Sequence, residues 1–289
     1  MRLRFCRSML QRVALCIFFL FLAQAVFGRQ TGNPITLRLK FKQGQVTKYQ
    51  ATAKLTTTMQ AAGLSGPRSS AKTFSTSDRA VEQMKVIRAL PDGGAEVTLT
   101  TLSDQRTEDG KPQDIQAQKL PSNTITYSPQ GMLLALKTSS KSDPINNEVK
   151  NALVALQAGS ELMPAQPVRP GDSWTQTVHY TALPGIGPVT VQSRFVKIVT
   201  VGRYRTALIH STVTVPLGTL SVPNGEGVQE GGVAKGTFDH YFAIAEGHSI
   251  RNIGTGSSAF TVLTRTSKGN PVKFQVKLKI DLTSDLLPG

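Results

Sequence analysis

The fold of this chain is decided by the stretch Val272-Lys273-Phe274-Gln275-Val276-Lys277-Leu278-Lys279-Ile280-Asp281-Leu282. Every even position in it is apolar and every odd position is polar. Successive side chains of a β-strand point to opposite faces, so this alternation predicts a strand with one buried and one solvent-exposed face. Antiparallel sheets commonly have such an exposed face, whereas parallel sheets are usually covered on both sides. The stretch therefore predicts an antiparallel sheet.

The same alternation recurs along the chain. It opens at residues 35–42, where four apolar positions alternate with Thr36, Arg38, Lys40 and Lys42. Short turns rich in Gly, Pro, Asn and Asp separate the apolar runs, which favours hairpins and a meander. Two longer stretches, 60–78 and 216–232, are rich in small residues and predict loops. Further strands are predicted near residues 46–59, 80–90, 95–102, 124–128, 132–137, 174–182, 189–201, 206–215, 233–245, 249–254 and 258–266.

One helix is predicted at residues 144–157. Asp143 can cap its first turn, Pro144 suits the first helical position, and Gly159 follows its end. One face of it would be apolar, formed by Ile145, Val149, Leu153 and Leu156. We expect a mainly β fold, a large curved antiparallel sheet or half-barrel with this helix packed on its concave side. The helix would join two halves, residues 29–142 and 160–289, of a single domain.

Residues 1–28 have the pattern of a secretory signal peptide. Four arginines precede an apolar run at residues 13–22, and Ala23-Gln24-Ala25 offers small residues for cleavage. The run is shorter than the roughly 18 apolar residues of a membrane-spanning helix. Cys16 lies within the run, where a lipoprotein signal would have its cysteine at the end. We therefore expect export to the periplasm or the extracellular space without lipidation, and a single β-rich domain at residues 29–289.

Removal of this segment changes the charge and the cysteine content of the exported domain. The chain has 289 residues, 33 basic and 18 acidic, for a net charge of +15. Four basic residues and no acidic ones precede residue 29, so the rest has 29 against 18, or +11. Both cysteines, Cys6 and Cys16, also lie in the segment. The exported domain would therefore have no disulfide, thiolate nucleophile or cysteine–metal site.

The remaining residues offer no catalytic pattern. The four histidines, at positions 179, 210, 240 and 248, lack the spacing of zinc ligands, and no serine lies in a nucleophile elbow. We therefore expect no catalytic residue, no metal and no cofactor. His240 differs from the other three because it shares a strand face with Phe238 and Phe242. It is either a core histidine with one hydrogen-bond partner or a ligand contact in an apolar cavity.

Four features together resemble a group of uncharacterised exported β-rich bacterial proteins. They are the opening strand followed by Gly44 and Tyr49, the motif Pro170-Gly171-Asp172-Ser173-Trp174, the hairpin Gly236-Thr-Phe238-Asp239-His-Tyr241-Phe242 with Glu246-Gly247-His-Ser-Ile250, and the alternating last strand. In layout the chain also resembles the periplasmic lipoprotein-carrier superfamily. That resemblance implies a strongly curved antiparallel sheet that wraps helices around an apolar cavity, and a lipid as ligand.

These observations lead to a function hypothesis with two alternatives. The first is a non-catalytic envelope protein that binds a lipid or another amphipathic ligand in the hollow of the sheet, with Trp174, Phe238, His240 and Phe242 lining the site. The second is a structural or interaction protein of the envelope that docks through a basic sheet face. The third is an envelope hydrolase, for which the sequence offers no nucleophile–base pair.

The basic face would combine two strands. Arg38, Lys40 and Lys42 lie on the polar side of one, and Lys273, Lys277 and Lys279 on the polar side of the other. If the first and last strands pair, the six residues merge into one patch. Such a patch would attract an anionic membrane surface or an acidic envelope polymer. Nucleic acid is not an expected partner, because the chain is predicted to be exported and lacks interleaved aromatic and basic residues.

Overall fold

The computed structural model describes residues 33–62, 70–113, 122–138, 161–179, 187–218, 220–222, 227–265 and 271–288. These residues form thirteen β-strands and no helix. The strands are β1 (Val46–Ala62), β2 (Lys72–Ala89), β3 (Ala95–Glu108), β4 (Lys111–Gln113), β5 (Ser122–Tyr127), β6 (Leu133–Thr138), β7 (Ser173–Val178), β8 (Val189–Val201), β9 (Tyr204–Leu217), β10 (Leu220–Val222), β11 (Gly227–Ala243), β12 (His248–Arg265) and β13 (Pro271–Leu286).

All thirteen strands belong to one antiparallel sheet. Their order is β6-β5-β3-β2-β1-β13-β12-β11-β9-β8-β7, with β4 beside β3 and β10 beside β11. Most neighbours are hairpin partners, as the short turns predict. Two pairs, β3–β5 and β9–β11, skip the short strands β4 and β10, and in the middle β1 pairs with β13 from Tyr49↔Leu286 to Ala62↔Lys273. The predicted class, mainly β with a large antiparallel sheet, is confirmed.

The strand β13 has the predicted alternation. Val276 and Ile280 are buried, while Lys277 and Lys279, which lie between them in the sequence, are exposed. The register carries this parity into the neighbours: Ile280 lies beside Leu55 of β1 and Gly256 of β12. One face of the central strands is therefore internal, and the other, which bears the lysines, is external.

The opening segment differs from its prediction. Residues 35–42 alternate in burial as expected, and Leu37 is fully buried. However, the segment does not pair with β13; within the described residues it forms an isolated bridge from Ile35 to Val168 and single hydrogen bonds elsewhere. Alternation of apolar and polar residues shows which face of a segment is buried. An extended segment that lies across the core has this alternation even when it pairs with no strand. The first strand of the sheet is β1 instead.

Other predicted boundaries also change. Residues 249–254 and 258–266 are not two strands, because β12 runs without a break from His248 to Arg265. Strands extend into both ends of the predicted loops at 60–78 and 216–232. For example, β2 begins at Lys72 and β11 begins at Gly227. The predicted signal peptide at 1–28 and the predicted helix at 144–157 lie outside the described residues. Among the described residues, no helix is long and apolar enough to span a membrane.

The core shows that the sheet bends strongly. One cluster of buried residues joins strands from its two sides, including Val86, Val97 and Ile125 with Val189, Val213 and Phe238. These strands are far apart in the sheet order, so their inner faces meet only if the sheet bends around the core. A second cluster fills one end, where Leu37, Met163 and Phe195 pack with Val168, Ala207, Ile209 and Phe242.

Candidate binding cavity

A cavity of about 280 Å³ lies on the inner face of the central strands. It is bounded on one side by β2 and β3 and on the other side by β11 and β12. The strands β1 and β13 lie between these two sides and also border the cavity. Its lining residues are Ala51, Thr52, Ala53, Asp78, Ala80, Glu82, Thr101, Asp104, Phe238, Asn252, Gly254, Leu282, Thr283 and Ser284.

One wall of the cavity is acidic. Asp78 and Glu82 occupy inward positions of β2, with the same parity as the core residues Met84 and Val86. A bulge in the β2–β3 pairing lies between Val81 and Glu82, where the partner in β3 changes from Ser103 to Thr101. The extra residue lets Asp104 and Thr101 face the cavity together, although simple alternation would separate them.

Burial makes these carboxyl groups unusual. It is the main cause of the raised pKa of Glu82, and the charge of Asp104 adds to it. The pKa of Asp104 is also raised, by burial and by Asp78, while Arg106 opposes the change. The Arg106 Nε atom donates to Asp78 Oδ1 at 2.7 Å, and its second guanidinium nitrogen lies farther away, 4.0 Å from Asp104 Oδ2. Asp104 Oδ1 is buried and has no hydrogen-bond partner among the described residues. The wall therefore favours a proton or a cationic group beside Glu82 and Asp104.

Apart from the amide of Asn252, the opposite wall is apolar. Phe238 is 4% exposed, and its ring lies over Gly254 of the neighbouring strand. A side chain at Gly254 would overlap the Phe238 ring, and a Cβ at Gly236 would lie 2.7 Å from Phe238 Cε2. The two glycines thus give the ring its place against the sheet. Leu282 and the small residues Ala51 and Ala53 continue this surface.

The four predicted lining residues do not lie together at this cavity. Only Phe238 borders it. Phe242 is fully buried in the second cluster, and Trp174 packs against the same cluster with its Nε1 donating to the carbonyl of Leu162 at 3.2 Å. His240 is also fully buried and stacks on Phe242, with ring centroids 6.0 Å apart. Three of the four therefore serve packing in the described part of the molecule.

His240 belongs to a buried polar network beside the cavity. Its Nε2 atom is hydrogen-bonded to Ser249 Oγ at 2.8 Å, and the Ser249 carbonyl accepts from Tyr49 Oη at 3.2 Å. Burial lowers the pKa of His240 to about 4, so the ring is neutral near pH 7. Asn252, which also lines the cavity, donates through Nδ2 to Glu161 Oε1 at 3.1 Å. Protein surrounds the Glu161 carboxyl group, and this burial raises its pKa to about 7.

The six predicted basic residues fall into two separate groups. Lys277 and Lys279 line a groove on the outer face, with Lys273 on the same strand. Lys40 lies at the turn after β11, where its N–H donates to the Gly247 carbonyl and its Nζ to the Ala245 carbonyl. Lys279 pairs with Ser257, which is nine residues along β12 from His248, about 30 Å at strand rise. Arg38 and Lys42 are exposed on the same opening segment as Lys40, so the six do not merge into one patch.

Sequence reasoning missed the acidic wall. For Glu82 the signal was present, because it has the same parity as Met84 and Val86 in the predicted strand 80–90, whereas Asp78 lies in the predicted loop 60–78. Asp104 could not be placed in this way, since its inward direction depends on the bulge. Within the described residues, no group of three or more His, Cys, Asp or Glu side chains is arranged to hold a metal ion.

Comparisons with known proteins find only distant similarity. No family model matches the chain, and no curated protein matches it. Among solved structures, DynF from the dynemicin biosynthesis pathway of Micromonospora chersina is 11% identical, with 89% of this chain and 92% of that chain covered and a TM-score of 0.24. A mutant of Rh. blastica porin is 8% identical, with coverages of 84% and 100% and a TM-score of 0.22.

An outer membrane channel from Pseudomonas putida F1 is 6% identical, with coverages of 86% and 97% and a TM-score of 0.20. Similarity at this level carries no argument about fold or function. The observations on the chain itself define its class: a protein of one large antiparallel sheet with a small cavity on the inner face.

Proposed function

We propose that this chain is a non-catalytic, exported envelope protein that binds a small amphipathic molecule in the inner cavity. The observation that carries the proposal is the division of the cavity into an acidic wall at Glu82 and Asp104 and an apolar wall at Phe238 and Leu282. A ligand with a cationic or hydrogen-bond-donating head and an apolar body matches both walls. The proposal includes export through residues 1–28 and a curved sheet or half-barrel with a helix at 144–157 packed on its concave side.

The head group is assigned from the acidic wall. Glu82 and Asp104 are carboxyl groups whose pKa values are raised by burial and by nearby negative charge. A bound ammonium group would offset that charge and could donate to Asp104 Oδ1, which no described side chain or backbone group contacts through a hydrogen bond. An anionic head would instead add a further negative charge to a wall that already disfavours one.

The size of the ligand is limited by the volume. About 280 Å³ lies just under the range of 300–1,000 Å³ typical of sites for drug-sized molecules. A short apolar body fits within this space against Phe238 and Leu282. A ligand with a long acyl chain would need room beyond the cavity. The proposal therefore favours a short amphipathic amine over a diacyl lipid.

The test compares two probes that differ only in the head group. Binding of n-hexylammonium and n-hexanoate to the full chain is measured by titration calorimetry at pH 8. We expect n-hexylammonium to bind and n-hexanoate not to bind. Glu82→Gln should weaken n-hexylammonium about tenfold, because a hydrogen bond to a charged group contributes roughly 1.5–3 kcal/mol.

The variants are chosen to retain the fold. Glutamine has the shape of the neutral carboxyl group that the site already favours, and Asp104→Asn provides a second variant of the same kind. Glu246→Gln, in the exposed turn after β11, removes one negative charge away from the cavity and should leave binding unchanged. Equal binding of the two probes, or an equal loss in Glu246→Gln, would show that the cavity is not the site.

A further inference from the structure

A groove of about 690 Å³ crosses the outer face of the sheet over β11, β12 and β13. It lies on the opposite face from the cavity and is independent of it. Its sides are formed by Lys235 of β11 and by Lys277 and Lys279 of β13. The small residues Thr255, Ser257 and Ala259 of β12 form the floor between them.

The register explains the shape of the groove. Lys235, Ser257 and Lys279 are directly paired across three neighbouring strands. Strands are about 4.8 Å apart, so the two lysine backbones lie about 10 Å apart with only a serine between them. Lys277 is two residues from Lys279, about 7 Å along the same strand. Long cationic side chains therefore stand on both sides of a strip whose own side chains are short.

The chemistry of the groove is cationic and rich in hydroxyl groups. All three lysines are exposed, and none of the described residues that line the groove is acidic. Two acidic groups flank it: Asp281, whose Oδ2 lies 3.6 Å from Lys279 Nζ, and Asp239, two residues from Thr237 on the same face, whose Oδ1 lies 2.8 Å from His210 Nδ1. Hydroxyl groups are supplied by Ser257 and by the hydrogen-bonded pair Thr237 and Thr255, whose Oγ1 atoms are 3.2 Å apart. The groove can thus neutralise anionic groups and hydrogen-bond to neutral ones along one line.

We propose that the groove binds a linear acidic polysaccharide. The repeating carboxylate or sulfate groups of such a chain would pair with the lysines, while its sugar hydroxyls would contact the floor hydroxyls. A bilayer surface matches the groove less well, because a flat surface would touch the lysines and leave the recessed floor without partners. Val233, the large apolar side chain exposed at the groove, gives little area for insertion into lipid.

The test uses polygalacturonate as the probe and the full chain, in about 50 mM salt. Neutral dextran controls for the sugar backbone, and vesicles of phosphatidylglycerol and phosphatidylcholine control for a membrane surface. We expect polygalacturonate to bind, dextran not to bind, and added salt to weaken binding. Lys235→Gln with Lys279→Gln should weaken it about tenfold.

Two further variants separate groove binding from general charge attraction. Lys85→Gln with Lys197→Gln removes the same charge from exposed positions on β2 and β8 and should leave affinity nearly unchanged. Ser257→Leu keeps every charge but fills the floor, and it should abolish polygalacturonate binding. Thermal unfolding checks that each variant folds.

Three results would overturn the proposal. One is an equal loss of affinity in the Lys85/Lys197 pair, which would indicate non-specific attraction. Another is full binding by Ser257→Leu. The third is vesicle binding that depends on Lys235 and Lys279 in the absence of polygalacturonate binding, which would assign the groove to a membrane surface.

Discussion

Replacement of Glu161 by glutamine should stabilise the protein at alkaline pH and leave it nearly unchanged at acidic pH. The Glu161 carboxyl group is surrounded by protein, and its contact in the buried network is the amide of Asn252 at 3.1 Å. Burial raises its pKa from 4.5 to about 7. A change of this size corresponds to a penalty of about 3 kcal/mol for folding with the charged form.

The direction of the change in stability with pH follows from the direction of the pKa change. Below pH 4.5 the group is protonated in both the folded and the unfolded chain, and there is no penalty. As the pH rises from 4.5 to 7, the unfolded chain releases its proton first, so the free energy of unfolding falls. Above pH 7 the penalty is complete. Glutamine cannot ionise, so the variant should escape this loss.

The assay is thermal unfolding followed by circular dichroism at pH 4.5 and pH 8. At 2–4 °C for each kcal/mol in a chain of this size, we expect the variant to exceed the wild type by roughly 10 °C at pH 8. At pH 4.5 the two should unfold within a few degrees of each other. Glu246→Gln, an exposed acid, is the control and should show no such dependence on pH. A variant that is less stable than the wild type at pH 8 would refute the reasoning.

Three further predictions follow from packing and burial. The lowered pKa of His240 predicts that, in the Glu161→Gln background, stability falls by about 3 kcal/mol as the pH drops from 6.5 through 4; His240→Gln should remove most of this fall in a pH series of unfolding curves. Gly254→Ala should cost about 1–3 kcal/mol in denaturant unfolding because its methyl group meets the Phe238 ring, and adding Phe238→Leu should recover part of that cost. Phe242→Ala should cost about 3–5 kcal/mol in the same assay, whereas Phe74→Ala, at an exposed position, should cost far less.

The sequence predicts the class of fold well because alternation is a direct record of burial. Residues 272–282 form a strand with its lysines outside and its apolar residues inside, as the pattern requires. The same pattern at residues 35–42 predicts burial correctly but does not predict the pairing with other strands. Alternation depends on which face is buried and not on which strand is the hydrogen-bond partner. Leu37 is buried in either arrangement.

Glycine is a second source of error. The stretch before residue 236 resembles a loop in composition, but much of it belongs to the long strand β11. Gly236 and Gly254 are required there by the ring of Phe238, which lies against both. A glycine that makes room for an aromatic ring and a glycine that allows a turn are the same letter in a sequence, and only the register of the strands distinguishes them.

The candidate cavity was the least predictable feature. Its acidic wall combines β2 and β3 through a bulge, and Phe238 and Leu282 of its apolar wall come from strands more than a hundred residues later. Alternation predicts that Glu82 lies on the inner face of its strand, but it does not predict which residues lie opposite Glu82. Aromatic residues such as Trp174 and Phe242 attract attention in a sequence, yet in this fold they fill the core.

The pairing of β1 with β13 has a consequence for how the chain reaches its folded state. Tyr49 is opposite Leu286, so the middle of the sheet joins residues more than 200 positions apart. Pairings of this separation are slow to form, because the entropy of closing the loop is lost before the contacts are made. During synthesis, β1 and β12 would each present an unpaired edge until β13 emerges, and such edges promote aggregation. A chain that stops before residue 271 should therefore be a strong client for chaperones rather than a slightly smaller version of the same protein.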